Sequence, residues 1–449
     1  MPSPDDRFRY DGYAVDPMTG VVRCGYSTGT HTFTEQFSFG SGGAWDAPEV
    51  SAAVRLLFLL AGVSYYKTSA APVIDLGDHG TTNRERDFLA DYYRAGLGEF
   101  AYRNGLDLDG IAVTGPETGH ADVVDYAPAP GRPLIPFGGG IDSIVTVDAV
   151  ARDHPDASLF VVHPPTGRFA AIEDAAATTG LPVRRVVRTL DPQVQRSAAL
   201  GFLNGHVPVT AIVTAAALVA ATLDGRDAVV LSNEWSASAP TLVSETRSVN
   251  HQWSKSDEFE RRFGELVSDR LGPQVAVFSY LRPRTELWVA ERFATLTAFH
   301  PTFRSCNRAF HQDPSQRLER WCGVCDKCCF IDLVLAPFME RGQLAAIFAG
   351  SEPLENPANV ARYRTLVGLG LDERPFECVG DVDECRAAVV LAADRADRAQ
   401  SALLQKLRKE VVDVDPSAAT VSASRMLEPR GPHRIPERYA PPDLLVRAR

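Results

Sequence analysis

Between residues 133 and 232 short apolar runs alternate with longer stretches of helical character. Residues 133–137, 158–163, 183–188 and 228–232 are brief, apolar and rich in β-branched side chains, the pattern of strands buried on both faces. Residues 143–152, 170–179, 208–223 and 257–268 read as the helices between and after them. Strand–helix alternation with near-continuous apolar strands predicts a parallel sheet covered on both sides. Residues 7–40 behave differently: apolar and polar positions alternate with a period of two, interrupted at Gly20 and Gly29, which predicts a small antiparallel sheet. Helical segments at 50–61 and 84–93 follow, with a strand candidate at 73–76 between them. Mixed helices fill the region after 300. The tail after about 410 is rich in Pro, Arg and Asp and is expected to be partly disordered.

The predicted class is therefore α/β: a parallel, doubly wound core, a small N-terminal antiparallel β region and a helical C-terminal part. The expected divisions are an N-terminal α+β domain (1–130), the α/β core (131–300), a cysteine-bearing helical region (301–400) and a helix end with its tail (401–449). At 449 residues the chain is long enough for two or three domains. A formal net charge of −11 argues against a surface devoted to nucleic acid. The most apolar stretch, 207–223, contains Pro208, Thr210 and Thr214 and suits a buried helix better than a membrane span. Residues 1–13 are polar and acidic, unlike a signal peptide. A cytoplasmic enzyme, with neither nucleic acid nor membrane as partner, is the expectation.

The densest chemical signal lies where the first predicted strand of the core ends, in Leu-Ile-Pro-Phe-Gly-Gly-Gly-Ile-Asp-Ser, residues 134–143. Glycines let backbone approach a ligand closely. A helix starting just after them directs unpaired N–H groups and about half a positive charge at that ligand, and phosphate is the natural guest. Ser143 adds a hydroxyl donor, and Asp142 can hold a metal ion that accompanies phosphates. The Walker pattern requires Lys-Ser/Thr after its last glycine, and the dinucleotide fingerprint spaces its glycines differently. The plain alternative is a glycine-rich turn at a strand–helix junction.

This stretch resembles the pyrophosphate-binding loop of the PP-loop ATP pyrophosphatases, Ser-Gly-Gly-x-Asp-Ser, with Gly138 at the position of the first serine. The resemblance implies a HUP-like core that takes ATP with Mg2+ on Gly138, Gly139, Gly140, Asp142 and Ser143, and splits it into AMP and pyrophosphate.

Eight cysteines are present, four of them between residues 322 and 329. Cys322, Cys325 and Cys328 follow one another at x2 spacing, which turns thiolates toward one metal ion. With Cys306, sixteen positions upstream of Cys322, they would close a four-thiolate zinc site, structural because no coordination position stays open. A redox Cys-x2-Cys pair or inert buried thiols are the alternatives. Cys24, Cys378 and Cys385 read as ordinary packed thiols.

The longer context narrows the comparison. The stretches at 59–67, 96–105, 203–212, 231–234, 249–256, 303–308, 321–328 and 375–380 (the last Pro-Phe-Glu-Cys-Val-Gly) resemble the MurL family over roughly residues 8–390. The resemblance implies epimerisation of the terminal L-glutamate of UDP-MurNAc-L-Ala-L-Glu to D-glutamate through a carboxyl adenylate, with release of AMP and pyrophosphate. It also implies functional pairing with an L-glutamate-adding ligase. Members of the family often carry lysine before the loop aspartate, where this chain has Ile141. Arg168, Lys255 and Arg282 are the cations that could take over. For the proton transfers the candidates are His206, His251, Glu234 and Lys255, with His300 behind them. They are titratable residues, and the two leading histidines sit beside turn-forming Asn residues at element ends, where binding groups concentrate. Tyr65, Tyr66, Lys67, Tyr102 and Arg103 are candidate substrate contacts, with core packing as the alternative. Two rival functions remain: another PP-loop adenylating reaction, such as amide or nitrile formation or tRNA modification, and a zinc-stabilised interaction protein without turnover.

Overall fold

The computed structural model describes residues 7–119, 123–243, 248–311, 313–370, 375–420 and 423–445. Ten strands form one continuous sheet: β1 (Arg7–Asp16), β2 (Val21–Thr28), β3 (His31–Ser38), β4 (Val73–Asp75), β5 (Ala112–Thr114), β6 (Ala129–Pro136), β7 (Ser158–His163), β8 (Val183–Thr189), β9 (Arg226–Leu231) and β10 (Ala276–Ser279). Their order across the sheet is β10-β9-β6-β7-β8-β3-β2-β1-β4-β5. The first five in that order are mutually parallel.

The two strand patterns seen in the sequence are thus joined edge to edge. The antiparallel meander β1–β3 is not a separate sheet: β3 pairs antiparallel with β8 through Gln36, Phe37 and Ser38. The meander covers an edge that β8 would otherwise leave open for other chains. Sequence patterning missed β5 and β10, which are three and four residues long, while the equally short β4 was read at 73–76.

The order of the parallel strands places the site. From β6 the chain moves outward through β7 to β8, then returns to the other flank of β6 for β9 and β10. The direction of winding reverses beside β6, and the crevice beyond the carboxyl ends of β6 and its neighbours is where ligands enter sheets of this kind. Residues 137–143 follow β6, and Asn233 and Glu234 follow β9.

Alternate residues of each central strand feed opposite cores. Ile135, Leu159, Val161, Ala228 and Val230 face one core, built with the helices Ile141–Asp153, Ala170–Thr179, Glu286–Ala294, Asp326–Leu335 and Val382–Ala393. Leu134, Phe160, Val229 and Leu231 face the other, built with Pro48–Ala61, Asn83–Gly96, Val209–Leu223 and Asp257–Leu271. The first core draws on residues from both sides of the division expected near 300, and the second on residues from both sides of the one expected near 130. The helix Val209–Leu223 is apolar all round because it lies inside the second core. Among the described residues one helical stretch, Pro48–Tyr66, is long and apolar enough to cross a membrane by length and composition, and 78% of it is buried within the fold.

The tail does not follow its composition. Thr285 donates to the Met426 carbonyl, Arg434 pairs with Asp257, and the Tyr439 hydroxyl donates to Asp227 Oδ1 at 2.7 Å. Ile435, Tyr439 and Leu444 are buried in the first core, so the described part of 423–445 is a strap packed across it. Residues 446–449 lie outside the described residues.

Candidate functional site

Loop 137–140 and the first turn of Ile141–Asp153 form one wall of a chamber of about 670 Å³. Its three glycines have different reasons to be there. Gly139 has φ +75°, and a Cβ on it would lie 2.5 Å from the Ala171 carbonyl oxygen, so only glycine fits. A Cβ on Gly140 would lie 2.9 Å from Ser305 Oγ. Gly138 faces open space. Gly140 is the N-cap and offers no side chain to the helix, while Ser143 Oγ bonds back to the Gly140 carbonyl at 3.0 Å. By helix geometry the N–H groups of Ile141, Asp142 and Ser143 lack intrahelical acceptors, and they lie where the chamber opens. Ile141 is 1% exposed and packs in the core, so this position adds no charge to the chamber.

Asp142 meets Glu234 from the end of β9 and Glu286 from the start of the helix Glu286–Ala294. One oxygen from each lies within 4.8 Å of the others. Glu234 and Glu286 are buried, and Asp142 Oδ1 is buried without a hydrogen-bond partner. Burial, followed by the negative charge of Glu234, pushes the Asp142 carboxyl up to about 7. The same two causes push Glu286 well above the ordinary carboxylate range. Three carboxyls in this state call for a cation, and an all-oxygen donor set suits Mg2+.

The same chamber is lined by His251, Lys255, Lys327 and Cys378. Lys255 Nζ lies 3.1 Å from Cys378 Sγ, and Lys327 Nζ donates to the Cys378 carbonyl. Burial opposes charge on Lys255, but Cys378, Glu234 and Asp142 outweigh it and hold the ammonium raised. His251 Nδ1 is 2.5 Å from Glu99 Oε2, and Glu99 is held on its other oxygen by Arg103 Nε at 2.6 Å. Burial acts to lower His251, yet bonding to Cys378 and Glu99 carries it up to about 9. Behind this wall Arg282 is buried in an ion pair with Glu260. It donates to the carbonyls of Glu234 at 2.9 Å and Lys255 at 2.6 Å, fixing the two residues relative to each other.

Of the residues singled out in the sequence, Gly138, Gly140, Asp142, Ser143, Glu234, His251 and Lys255 line this chamber. His206 stands behind His251, ring centroids 4.3 Å apart, and burial followed by the charge of His251 lowers it to about 4. His300 is elsewhere, against Phe293. Tyr65 and Tyr66 are fully buried in the aromatic core. Lys67 bonds Asn204 and the Gly205 carbonyl. Of the three cations considered in place of a loop lysine, Lys255 lines the chamber; Arg282 supports its wall, and Arg168 lies near Glu173. Arg304 and Lys327 line it too, and sequence reasoning passed over both. It also passed over Glu286 and Glu99. Cys378, read above as a packed thiol, is half-buried and faces the chamber instead; Cys24 and Cys385 are buried as that reading expects. The signal for Cys378 was its place within the 375–380 stretch.

Cys306, Cys322, Cys325 and Cys328 gather with all four sulfurs within 4.8 Å. Cys325 and Cys328 are 3.4 Å apart, and Cys322 and Cys328 are 3.7 Å apart. Thiolates held tetrahedrally about 2.3 Å from zinc would be separated by roughly 3.8 Å, so the set fits that ion. Hydrogen bonds from Cys325 and Cys328 hold Cys306 well below the usual thiol range, and hydrogen bonds with Cys306 and Cys325 push Cys328 up. Two of the four are threaded into the chamber wall: Cys306 lies between Ser305 and Asn307, and Lys327 precedes Cys328.

The N-terminal domain of the MurL family matches residues 2–280, and its C-terminal domain matches residues 302–422. A protein of Xanthomonas oryzae pv. oryzae named UDP-N-acetyl-alpha-D-muramoyl-L-alanyl-L-glutamate epimerase is 37% identical over 439 residues, covering 96% of this chain and 95% of its own length. Proteins of the same name from Salinispora tropica and a Micromonospora species are each 35% identical and cover 97% of this chain, with 95% and 97% of their own lengths aligned.

Proposed function

The chain belongs to the MurL family, and on that premise we propose that it inverts the terminal L-glutamate of UDP-MurNAc-L-Ala-L-Glu to D-glutamate, using ATP. The observation that carries the reading is the union, in one chamber, of a phosphate-cradling loop, a carboxyl cluster short of a cation and a set of proton-carrying side chains.

The chemistry explains why these groups belong together. The α-proton of a glutamyl residue beside a free carboxylate is very weakly acidic, because the carbanion would add charge to an existing anion. When the carboxylate attacks the α-phosphorus of ATP, pyrophosphate leaves and a mixed anhydride forms. Its carbonyl accepts the electron pair as an enolate once the α-proton is removed. A proton returned to the opposite face completes the inversion, and water releases AMP.

In this reading the N–H groups at Ile141–Ser143 and the Ser143 hydroxyl bind the phosphates. Asp142, Glu234 and Glu286 would hold Mg2+, which supplies charge neutralisation for the departing pyrophosphate. Arg304 and Lys327 add positive charge that Ile141 lacks. Cys306, Cys322, Cys325 and Cys328 would hold zinc as a scaffold, setting Ser305 against the loop and Lys327 in the wall. The substrate implies an earlier reaction that adds L-glutamate to the UDP-linked L-alanine.

The test is to incubate the protein with ATP, Mg2+ and UDP-MurNAc-L-Ala-L-Glu, and to resolve the glutamate enantiomers after hydrolysis. D-glutamate accompanied by substrate-dependent AMP and pyrophosphate is expected. Return of L-glutamate alone, with no substrate-dependent pyrophosphate, rejects the reading.

A further inference from the structure

We propose that Cys378 is the residue that exchanges a proton with the glutamyl α-carbon on one face, with Lys255 and His251 holding its sulfur as a thiolate. The proposal rests on the epimerase reading above and names a base for it.

Geometry is the first support. Cys378 is half-buried and opens into the same chamber as the loop. It is held at both ends: its carbonyl accepts from Lys327, and its sulfur lies 3.1 Å from Lys255 Nζ. The segment around it is tightly built. Glu377 N donates to the Pro375 carbonyl at 2.8 Å, and Val379 N donates to the Glu377 carbonyl at 2.9 Å. Asn307 anchors Glu377 at 2.6 Å. Gly380 sits so close to Glu286 and Phe330 that a Cβ on it would approach both within 3.2 Å. The thiol is thereby fixed near the residues that receive ATP, on a segment that belongs to none of the sheet's strands.

Charge is the second. Lys255, His251 and Lys327 act on the sulfur as cations, against the Asp142 carboxyl, which also interacts with it; Glu234 and Asp142 act on Lys255 as well. Burial works to raise the thiol, but these cations outweigh it and bring Cys378 down to about 6. Cys378 stands apart from the four-cysteine group, so no metal competes for it there. The other base candidates are committed elsewhere. Glu234 belongs to the carboxyl cluster, and the His251 Nδ1 edge is taken by Glu99. A thiolate flanked by ammonium and imidazolium groups is a desolvated base with conjugate acids at hand.

The step balances as a proton transfer. The Cα–H bond breaks and an S–H bond forms, while the electron pair moves into the activated carbonyl as an enolate. A second acid of the chamber then delivers a proton to the opposite face.

The experiment compares wild type with Cys378→Ser and Cys378→Ala in deuterated water, measuring α-deuterium incorporation and pyrophosphate release together. The expected result is that α-exchange per pyrophosphate released falls at least a hundredfold in both variants. An unchanged ratio overturns the proposal, and so does loss of pyrophosphate release in step with exchange. If wild type itself releases no substrate-dependent pyrophosphate, the epimerase reading fails, and a second measurement still judges the thiol. Alkylation of wild-type protein by iodoacetamide, followed peptide by peptide, needs no variant to fold. The alkylation rate of Cys378 should be half-maximal near pH 6, level off about a unit higher, and be shielded by the UDP-linked peptide. A rate that climbs through pH 8–9 like an ordinary thiol overturns the proposal.

Discussion

The carboxyl group of the chamber and its cationic group are opposites in how they balance charge. Asp142, Glu234 and Glu286 face one another, and the buried Asp142 Oδ1 has no hydrogen-bond partner. Lys255, His251 and Cys378 instead neutralise each other, with Glu99 closing the network behind His251. The first group is unfinished without a ligand; the second is finished without one. An unfinished buried cluster costs stability and is kept for what it binds. A finished one keeps its protonation pattern before the substrate arrives, which suits groups that must hand over a proton.

The sharpest way to break this contrast is Asp142→Asn. It keeps the shape of the loop and removes the charge that a cation needs. Substrate-dependent pyrophosphate release should fall about a thousandfold, and raising Mg2+ should not restore it. Retained release would mean the carboxyl cluster is not the metal and phosphate side of the chamber.

Metal removal tests what the two groups share. Protein purified without chelator should carry one zinc, found by elemental analysis. Stripping it, or Cys328→Ser, should lower stability by several kcal/mol, on the order of 3. Calorimetry and pyrophosphate release should report the loss together, because Ser305 touches the loop while Lys327 holds Cys378. A chain that binds no zinc removes the scaffold from the argument.

A smaller effect is expected at Glu99→Gln. The His251 value of about 9 lies above its ordinary 6.5. A raised histidine stabilises the fold fully below 6.5, and loses that contribution as pH rises through about 9. Glu99 is lowered from 4.5: burial opposes this, but the hydrogen bond from His251 prevails. Its contribution is present above 4.5 and fades as pH falls below. The wild-type melting temperature should therefore gain most from the pair between these limits and lose that gain toward pH 9. The variant should lose only the Glu99 share of the alkaline decline, since Cys378 still holds His251 raised, a difference on the order of 1 kcal/mol. Superimposable pH profiles would show that Glu99 does not hold His251 in its charged form.

The loop of the chamber was legible for a structural reason. Loop 138–143 and Glu234 follow strands whose apolar runs mark themselves, and ligand position follows from strand order. Glu286 was not legible: it opens the helix Glu286–Ala294, which follows a strand, β10, of only four residues. On the cationic side His251 and Lys255 were singled out as titratable candidates, whereas Glu99, Lys327 and Cys378 lie on separate segments that no periodicity relates. Cys378 illustrates the limit. A single cysteine reads as a packed thiol until tertiary structure sets a lysine 3.1 Å from its sulfur. The tail misled in the other direction: Pro- and Arg-rich composition signals disorder, yet Tyr439 and Ile435 are core residues. Composition averages over a window, whereas two buried anchors suffice to dock a strap.

The smallest effect belongs to the loop position that departs from the PP-loop pattern this stretch resembles, and it separates two uses of glycine a few ångströms apart. Gly139 occupies a left-handed conformation with the Ala171 carbonyl 2.5 Å from where a Cβ would be. Gly139→Ala therefore carries backbone strain of about 1–2 kcal/mol plus displacement of a helix start, and should impair both folding and ATP use. Gly138 has no positive φ, and nothing lies within 4 Å of where its Cβ would stand. Gly138→Ser, which installs the serine of the pattern the loop resembles, should change stability by no more than about 0.5 kcal/mol. Its hydroxyl would add one donor beside the phosphates, so the KM for ATP should stay level or fall slightly. A marked loss of stability in Gly138→Ser would mean that the open space beside the loop is already filled, and the phosphate side of the chamber would have to be redrawn around whatever fills it.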